Sequence, residues 1–254
     1  MFTSTICGQA VMRPLKQYRI TDRIRMMSEE LSPSTAVKSK LGVKESPDSE
    51  WPEAWLMTNN LKDRKAENRM MPNIPIGAAV LRQIGLSYWK MDAEKYTYPT
   101  TSVPWNPNNS MDPKLSQIRN DRGYSYADII TIHPDHLIGY EEKINSFFKE
   151  HIHDAEEIRY VVGGSGYFDV RDKEDRWVRI RFKKGDLMAL PEGIYHRFTK
   201  DSTNIIHLMR LFIGHPIWTS FNRPCEEHPS RKKYVEQYRN NESSRNGVDQ
   251  SRSS

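Results

Sequence analysis

The sequence predicts an all-β domain, closed as a sandwich or barrel, with a few peripheral helices. Three observations predict it. Between Ile158 and Phe212, six short runs rich in β-branched and aromatic residues follow one another at short spacing. Glycine or charged turns separate them. After one such turn, Leu190-Pro191-Glu192-Gly193, the residues Ile194, His196 and Phe198 alternate with Tyr195, Arg197 and Thr199, the period of a strand with one apolar face.

Residues 1–50 are mixed and Ser-rich, lack sustained periodicity and read as a disordered N-terminal extension. Arg13 to Arg25 carries five basic residues against Asp22 alone, the composition of a mitochondrial transit peptide. Glu29, Glu30 and the want of a clean amphipathic helix argue against that alternative. The folded domain, 51–228, starts at Trp51. Trp55-Leu56-Met57 begins a strand, Ala78 to Leu86 makes a short helical turn, and Ser87-Tyr88-Trp89-Lys90 forms another strand. Tyr98 to Pro113 holds four prolines among Asn and Ser, which predicts a surface loop inserted at 98–113. A short polar helix then leads into a strand from Tyr124 to Ile132, and Tyr140 to Lys149 predicts an amphipathic helix with Ile144, Phe147 and Phe148 inward. The closely spaced strands follow: Ile158 to Val162, Gly166 to Arg171, Trp177 to Phe182, Asp186 to Leu190, Tyr195 to Lys200 and Asn204 to Phe212. Residues 229–254 are polar and predict a flexible tail, with room for a helix over Tyr234 to Tyr238.

A chain of 254 residues can bury a sizeable core in one or two domains. No stretch approaches the roughly eighteen apolar residues of a membrane span, and no secretory signal is visible, so we expect a soluble, cytoplasmic and also nuclear protein. Cys7 and Cys225 lie far apart, which argues against a disulfide framework and for a reducing compartment. The net charge is +5, yet residues 51–228 carry equal numbers of Lys/Arg and Asp/Glu, so the excess sits in the flanks. With no aromatic-interleaved basic stripe and no nucleic-acid module, nucleic acid is not an expected partner.

One constellation carries chemistry. His151 and His153 share a strand face, and Glu157 and Arg159 share that parity if the strand continues. His196, aimed into an apolar face after the 190–193 turn, supplies a fourth ligand. Neutral imidazole suits zinc, copper, iron or nickel, and the carboxylate hardens the set towards a divalent metal that also takes oxygen ligands. Any one of these histidines alone reads as a surface or core residue; the combination favours metal.

Ile206, Leu208, Arg210 and Phe212 share one face of the last strand, which sets an arginine among apolar residues. A buried guanidinium needs an anion: either a core acid in a salt bridge, or negative charge held near the metal together with Arg159. Phe147 and Phe198 are ordinary core residues taken singly, and beside metal ligands they wall a small apolar pocket.

The motif His151-x-His153-x3-Glu157-x6-Gly164 resembles the first cupin motif, and Gly185-x5-Pro191-x-Gly193-x2-His196 the second. Asn145 stands where the first would begin with Gly, and Lys200 where the second would end in Asn. Tyr140-Glu141-Glu142-Lys143-Ile144, Glu157-Ile158-Arg159-Tyr160, Gly164 to Asp172, Leu190 to Thr199, Arg210-Leu211-Phe212 and Trp218-Thr219 resemble the acireductone dioxygenase family more closely. With Trp55 and Tyr88-Trp89-Lys90 the resemblance spans residues 54–227. It implies a cupin jelly-roll barrel, a monomer, holding one Fe(II) or Ni(II) through His151, His153, Glu157 and His196. It also implies a small-molecule acireductone and O2 as reactants, Arg159 and Arg210 as groups that balance the substrate's negative charge, and Phe147 and Phe198 as residues that pack it. Another metal-dependent cupin, whether an isomerase or a different dioxygenase, and a non-catalytic binding module are the rival readings.

Overall fold

Fifteen residues, Glu157–Arg171, form a single strand, β5, where the sequence predicts two. The structure is a computed structural model that describes residues 42–59, 61, 63–95, 112–216 and 219–240, all of which belong to one compact unit. Gly163 and Gly164 look like a chain reversal in the sequence. Instead the register shifts between Val161 and Gly163 while pairing continues. Gly164 takes φ +73°, and a Cβ there would lie 2.1 Å from the Ile205 carbonyl oxygen, so only glycine lets the neighbouring strand approach this closely. The extra residue also flips the parity. Val161 faces the main core before the shift, and Phe168 and Val170 face it afterwards.

The remaining strands are β1 (Ala54–Leu56), β2 (Ser87–Lys90), β3 (Tyr126–Ile132), β4 (His151–Ile152), β6 (Trp177–Lys183), β7 (Asp186–Leu190), β8 (His196–Lys200), β9 (Ile206–Phe212) and β10 (Phe221–Asn222). The first half of β5 pairs with β7 and β9, the second half with β6 and β8. Two antiparallel layers result, β1-β6-β5-β8-β4-β10 and β2-β7-β5-β9-β3, joined through the bent β5. This is the β-barrel architecture expected from the strand rhythm.

Between the layers lies one apolar cluster, with Val161, Phe168, Val178, Ile180, Phe182 and Leu208 among its buried residues. A second cluster covers the other face of the β7-β5-β9-β3 layer, where Tyr160, Leu187, Met209 and Leu211 meet Leu115 and Ile118 of helix α2 (Pro113–Arg122). Asp112 caps that helix, accepting hydrogen bonds from the Lys114 and Leu115 amides, and Gly123 ends it in the left-handed conformation at φ +76°. The helix therefore begins inside the predicted 98–113 loop; residues 96–111 lie outside the described set. Helix α1 (Ala78–Gln83) buries Ala78 and Leu81. Helix α3 (Tyr140–Phe148) packs Tyr140, Ile144 and Phe147 against the main cluster. Phe148, expected inward with them, instead stacks on the Arg197 guanidinium at 4.3 Å, because its position on the helix faces the outside of β8.

Both expected domain edges move outward. Ser46 Oγ accepts from the Lys90 amide at 2.8 Å, its carbonyl accepts from Trp51 Nε1, and Val43 donates to Asp121 at 2.8 Å, so the folded body includes residues 42–50. Backbone and side-chain hydrogen bonds fix that segment, and hydrophobic periodicity does not register them. At the other end helix α4 (Pro229–Tyr234) buries Ser230, Arg231 and Tyr234, and Tyr234 donates its hydroxyl to the Ile84 carbonyl. Its Arg and Lys residues gave the segment the texture of a tail. The expectations for residues 1–41, Trp218 and 241–254 fall outside the described residues. Among those described, no helix is long and apolar enough to cross a membrane.

Candidate metal centre

His151, His153, Glu157 and His196 each place one ligand atom within 4.8 Å of the others, but not on one strand face as the sequence parity suggests. Strand β4 ends at Ile152, residues 153–156 bend, and β5 starts at Glu157. His151 lies directly opposite His196 in the β4–β8 pair. The Gly193 amide donates to the His153 carbonyl at 3.1 Å, tying the bend to the turn that delivers His196. Gly193 has φ +78°, and a Cβ there would meet the Ser230 carbonyl oxygen at 2.1 Å, so helix α4 presses this turn into place. Arg231 of α4 also donates to the Gly193 carbonyl.

The imidazoles are oriented from behind. His151 Nδ1 lies 2.7 Å from the Lys149 carbonyl oxygen, His153 Nδ1 2.8 Å from that of Thr219, and His196 Nδ1 2.9 Å from that of Ile194. A carbonyl can only accept, so each Nδ1 carries the proton and each neutral ring presents the Nε2 lone pair to the centre. Two of those nitrogens face one carboxylate oxygen: Glu157 Oε2 is 2.8 Å from His196 Nε2 and 3.1 Å from His153 Nε2. Lone pairs facing a carboxylate at these distances call for a cation between them, and three imidazoles with one carboxylate are a donor set for a divalent transition metal. The residues therefore fit a metal.

Electrostatics favour the ligating form at His151 and Glu157. Burial, helped by the His196 charge, drives His151 down to about 3, keeping it neutral. Burial also opposes protonation of His153, but the Glu157 hydrogen bond and charge outweigh it and raise its pKa. Burial would raise the Glu157 carboxyl; Arg159 first, then the histidines, hold it well below its ordinary value. Glu157 Oε1 receives Arg159 Nη2 at 3.0 Å.

Arg159 of β5 sits directly opposite Arg210 of β9, an arrangement that repels unless it is compensated. Glu157 compensates Arg159. Asp128, opposite Arg210 on β3, takes Arg210 Nε at 2.7 Å and Nη2 at 2.6 Å. The acid that the sequence left unnamed is thus Asp128. Arg210 lines the cavity with its charge already paired.

All eight predicted residues meet there. His151, His153, Glu157, His196, Arg159, Arg210, Phe147 and Phe198 line one cavity of about 400 Å³, together with Ile130, Ile132, Phe168, Leu208, Lys143 and Ser146. Several of the unpredicted walls were within reach of parity. Ile130 and Ile132 alternate along β3, Phe168 lies directly across from Phe198, and Lys143 stands four residues before Phe147 on α3. Ser220 also lines the cavity, and no sequence signal marks it.

The sequence profile of the ARD/ARD' family matches residues 53–220, a span that contains every one of the eight residues. The chain belongs to the ARD/ARD' family. It is 50% identical over 183 residues to the acireductone dioxygenase of Rattus norvegicus, covering 72% of this chain and 95% of the relative. It is 49% identical to acireductone dioxygenase 4 of Arabidopsis thaliana, covering 72% and 91%. Among solved structures, the acireductone dioxygenase of Bacillus anthracis with a cadmium ion in its active centre superposes with a TM-score of 0.52 at 21% identity, covering 67% of this chain and 98% of that one. That likeness bears on the fold, which is the cupin barrel. This ARD/ARD' member keeps the expected barrel and sets a three-histidine, one-glutamate cluster between its two layers.

Proposed function

We propose that this chain is an Fe(II)- or Ni(II)-dependent dioxygenase that cleaves the acireductone 1,2-dihydroxy-3-keto-5-methylthiopentene with O2 in methionine salvage. The iron form would give 4-methylthio-2-oxobutanoate and formate, the nickel form methylthiopropionate, formate and carbon monoxide. The observation that carries this reading is the set of three imidazoles whose Nδ1 protons are committed to backbone carbonyls, so that their Nε2 atoms converge on the Glu157 carboxylate. The bound metal would act as Lewis acid and template for the enediol.

The protein's own contribution is arrangement and charge. Arg159 holds Glu157 through Oε1 and donates Nη1 to the Ile158 carbonyl, which fixes a guanidinium at the cavity wall where it meets developing negative charge. Arg210, steered by Asp128, sets a second cation beside it. Phe147, Phe168 and Phe198, with Ile130, Ile132 and Leu208, give the opposite wall an apolar surface suited to a thioether chain, and they keep bulk water from the reacting enediol.

Metal analysis of the purified chain, followed by anaerobic reconstitution with Fe(II) or Ni(II), addition of acireductone and oxygen, and product identification, tests the reading. Keto acid with iron and carbon monoxide with nickel are the expected results. Stoichiometric metal without acireductone consumption would overturn the substrate and leave a metal-binding cupin.

A further inference from the structure

The stretch of chain that carries His151, His153 and Glu157 is backed by space. The whole bend between β4 and β5, residues 153–156, lines a second cavity of about 180 Å³ together with Tyr124, Phe212 and Ile213. His153, Glu157 and Arg159 border this cavity and the main one alike, so they stand between the two. A wall with a cavity on each side gains little from packing, because side chains that would press it into place are missing. Hydrogen bonds have to hold it.

Two carboxylates supply them, one at each end. Glu150, just before His151, accepts from Arg171 Nε at 2.8 Å and Nη2 at 3.0 Å and from Arg223 Nη1 at 2.8 Å. Glu156, just before Glu157, accepts from Arg122 Nη1 at 2.6 Å on one oxygen and from the Tyr124 hydroxyl at 2.5 Å on the other. The two ends are not equivalent. At His151 the chain is also held by strand pairing, with β8 on one side and β10 on the other. Residues 153–156 belong to no strand, so the Glu156 carboxylate is left to anchor their far end. Its own partners are fixed. Arg122 closes helix α2, donates Nη2 to Ser87 Oγ at 3.0 Å and lies 4.7 Å from the Trp89 ring, and Tyr124 is buried in the outer apolar cluster.

We propose that Glu156 is a positioning residue for the metal centre. Its carboxylate is turned to Arg122 and Tyr124, opposite in strand parity to Glu157, and it holds the bend forward so that His153 and Glu157 stay gathered with His151 and His196. Released from Arg122 and Tyr124, the bend has room to move back into the cavity behind it. Two of the four ligands move with it, and metal binds more weakly although no ligand is lost. The inference rests on the metal centre and on no step of the reaction.

Ni(II) affinity of the full chain, measured by competition with a chromophoric chelator, tests it in wild type, Tyr124→Phe, Glu156→Gln and Asp169→Asn. The visible spectrum of the Co(II)-loaded proteins is a second readout, of ligand arrangement. Tyr124→Phe removes one hydroxyl and leaves the Glu156 charge in place, so a loss there is positional rather than electrostatic. We expect Tyr124→Phe and Glu156→Gln to bind Ni(II) about tenfold more weakly, the lower end of what partners behind metal ligands contribute, and to shift the Co(II) bands. Asp169→Asn weakens the buried ion pairs to Arg179 and Arg197 on the outer face of β5, so it should lower the denaturation midpoint and keep wild-type affinity and spectrum. Affinity within about twofold of wild type in Tyr124→Phe would overturn the proposal, even with Glu156→Gln weakened, because charge alone would then explain the loss. An equal loss in Asp169→Asn would overturn it too, by making metal binding follow stability. If Glu156→Gln does not fold, Tyr124→Phe decides. A wild-type chain that binds neither Ni(II) nor Co(II) would overturn the metal centre and this inference with it, whereas wild-type binding with unchanged variants overturns this inference alone.

Discussion

Two buried charge clusters share strand β5 and differ in what completes them. On its outer face Asp169 accepts Arg179 through Nε at 2.7 Å and Nη2 at 2.8 Å, and Arg197 through Nε at 2.8 Å. Here two cations share one acid. The excess charge is spread over neighbouring groups: the Arg197 guanidinium lies 4.3 Å from the Phe148 ring and 4.1 Å from Trp177, and Arg179 Nη1 donates to the Arg64 and Ala66 carbonyls. Apart from Arg197 Nη2, which has no hydrogen-bond partner, the protein itself closes this cluster, which ties the 64–66 turn to the barrel. On the inner face Glu157, Arg159, Arg210 and Asp128 balance in sign, yet imidazole lone pairs still face the Glu157 carboxylate. That arrangement is completed by something the chain does not encode. Burial and charge alone therefore do not mark a site; an unmet demand for a cation does.

The sharpest break in the comparison is expected from His153→Ala. It should lose metal and turnover together while unfolding within about 1 kcal/mol of the metal-free wild type, because a partly exposed ring is removed from a bend. Elemental analysis and urea denaturation check both halves. Asp169→Ala should act oppositely: leaving two guanidinium groups without their acid costs about 3–5 kcal/mol of stability, with metal stoichiometry unchanged in the folded fraction. A loss below about 1 kcal/mol in urea titration would mean that the outer cluster is not a structural hub.

Arg159→Ala sharpens the division inside the inner cluster. It should keep metal and lose about a hundredfold in turnover, and an apo protein would show that Arg159 serves ligand assembly instead. Asp128→Asn, which loosens Arg210 without touching a ligand, should cost about 1–2 kcal/mol in stability and raise KM more than it lowers kcat, read from steady-state kinetics. The smallest effect concerns Lys200. Its folded pKa, about 8, lies below the ordinary 10.5, so between those values the unfolded chain holds a proton that the folded chain has released. Stability contributed by this residue should therefore rise with pH across that window. Melting temperatures of wild type and Lys200→Met should diverge upward from pH 8 to 10 in favour of wild type; a constant difference would refute the assignment.

Much of the inner site was legible because its residue types are rare and closely spaced. His151, His153, Glu157 and His196 announce a metal by chemistry, and strand alternation put Arg159 and Arg210 on inward faces. Parity was right for Arg159 and wrong as an account of the ligands, since the chain bends at 153–156 between two strands in different layers. The outer cluster was not legible: nothing in the sequence pattern singles out Asp169, Arg179 and Arg197, and only cross-strand registers Asp169↔Arg179 and Asp169↔Arg197 bring them together under Phe148 and Trp177.

By itself the sequence determined the class of fold and singled out the four candidate ligands, two arginines and two phenylalanines that the structure gathers round one cavity, because strand period and donor chemistry are properties of neighbouring residues. Tertiary structure decided what required partners distant along the chain. It joined two predicted strands into β5 through one glycine-permitted shift, paired Arg210 with Asp128 82 residues away, and drew the supposed tails at 42–50 and 229–240 into the body. It also set Lys65 and Lys200 on one amide oxygen. The physical reason is the same in each case: hydrogen bonds and ion pairs are satisfied in space, and a linear pattern carries only the half of each pair that it happens to display.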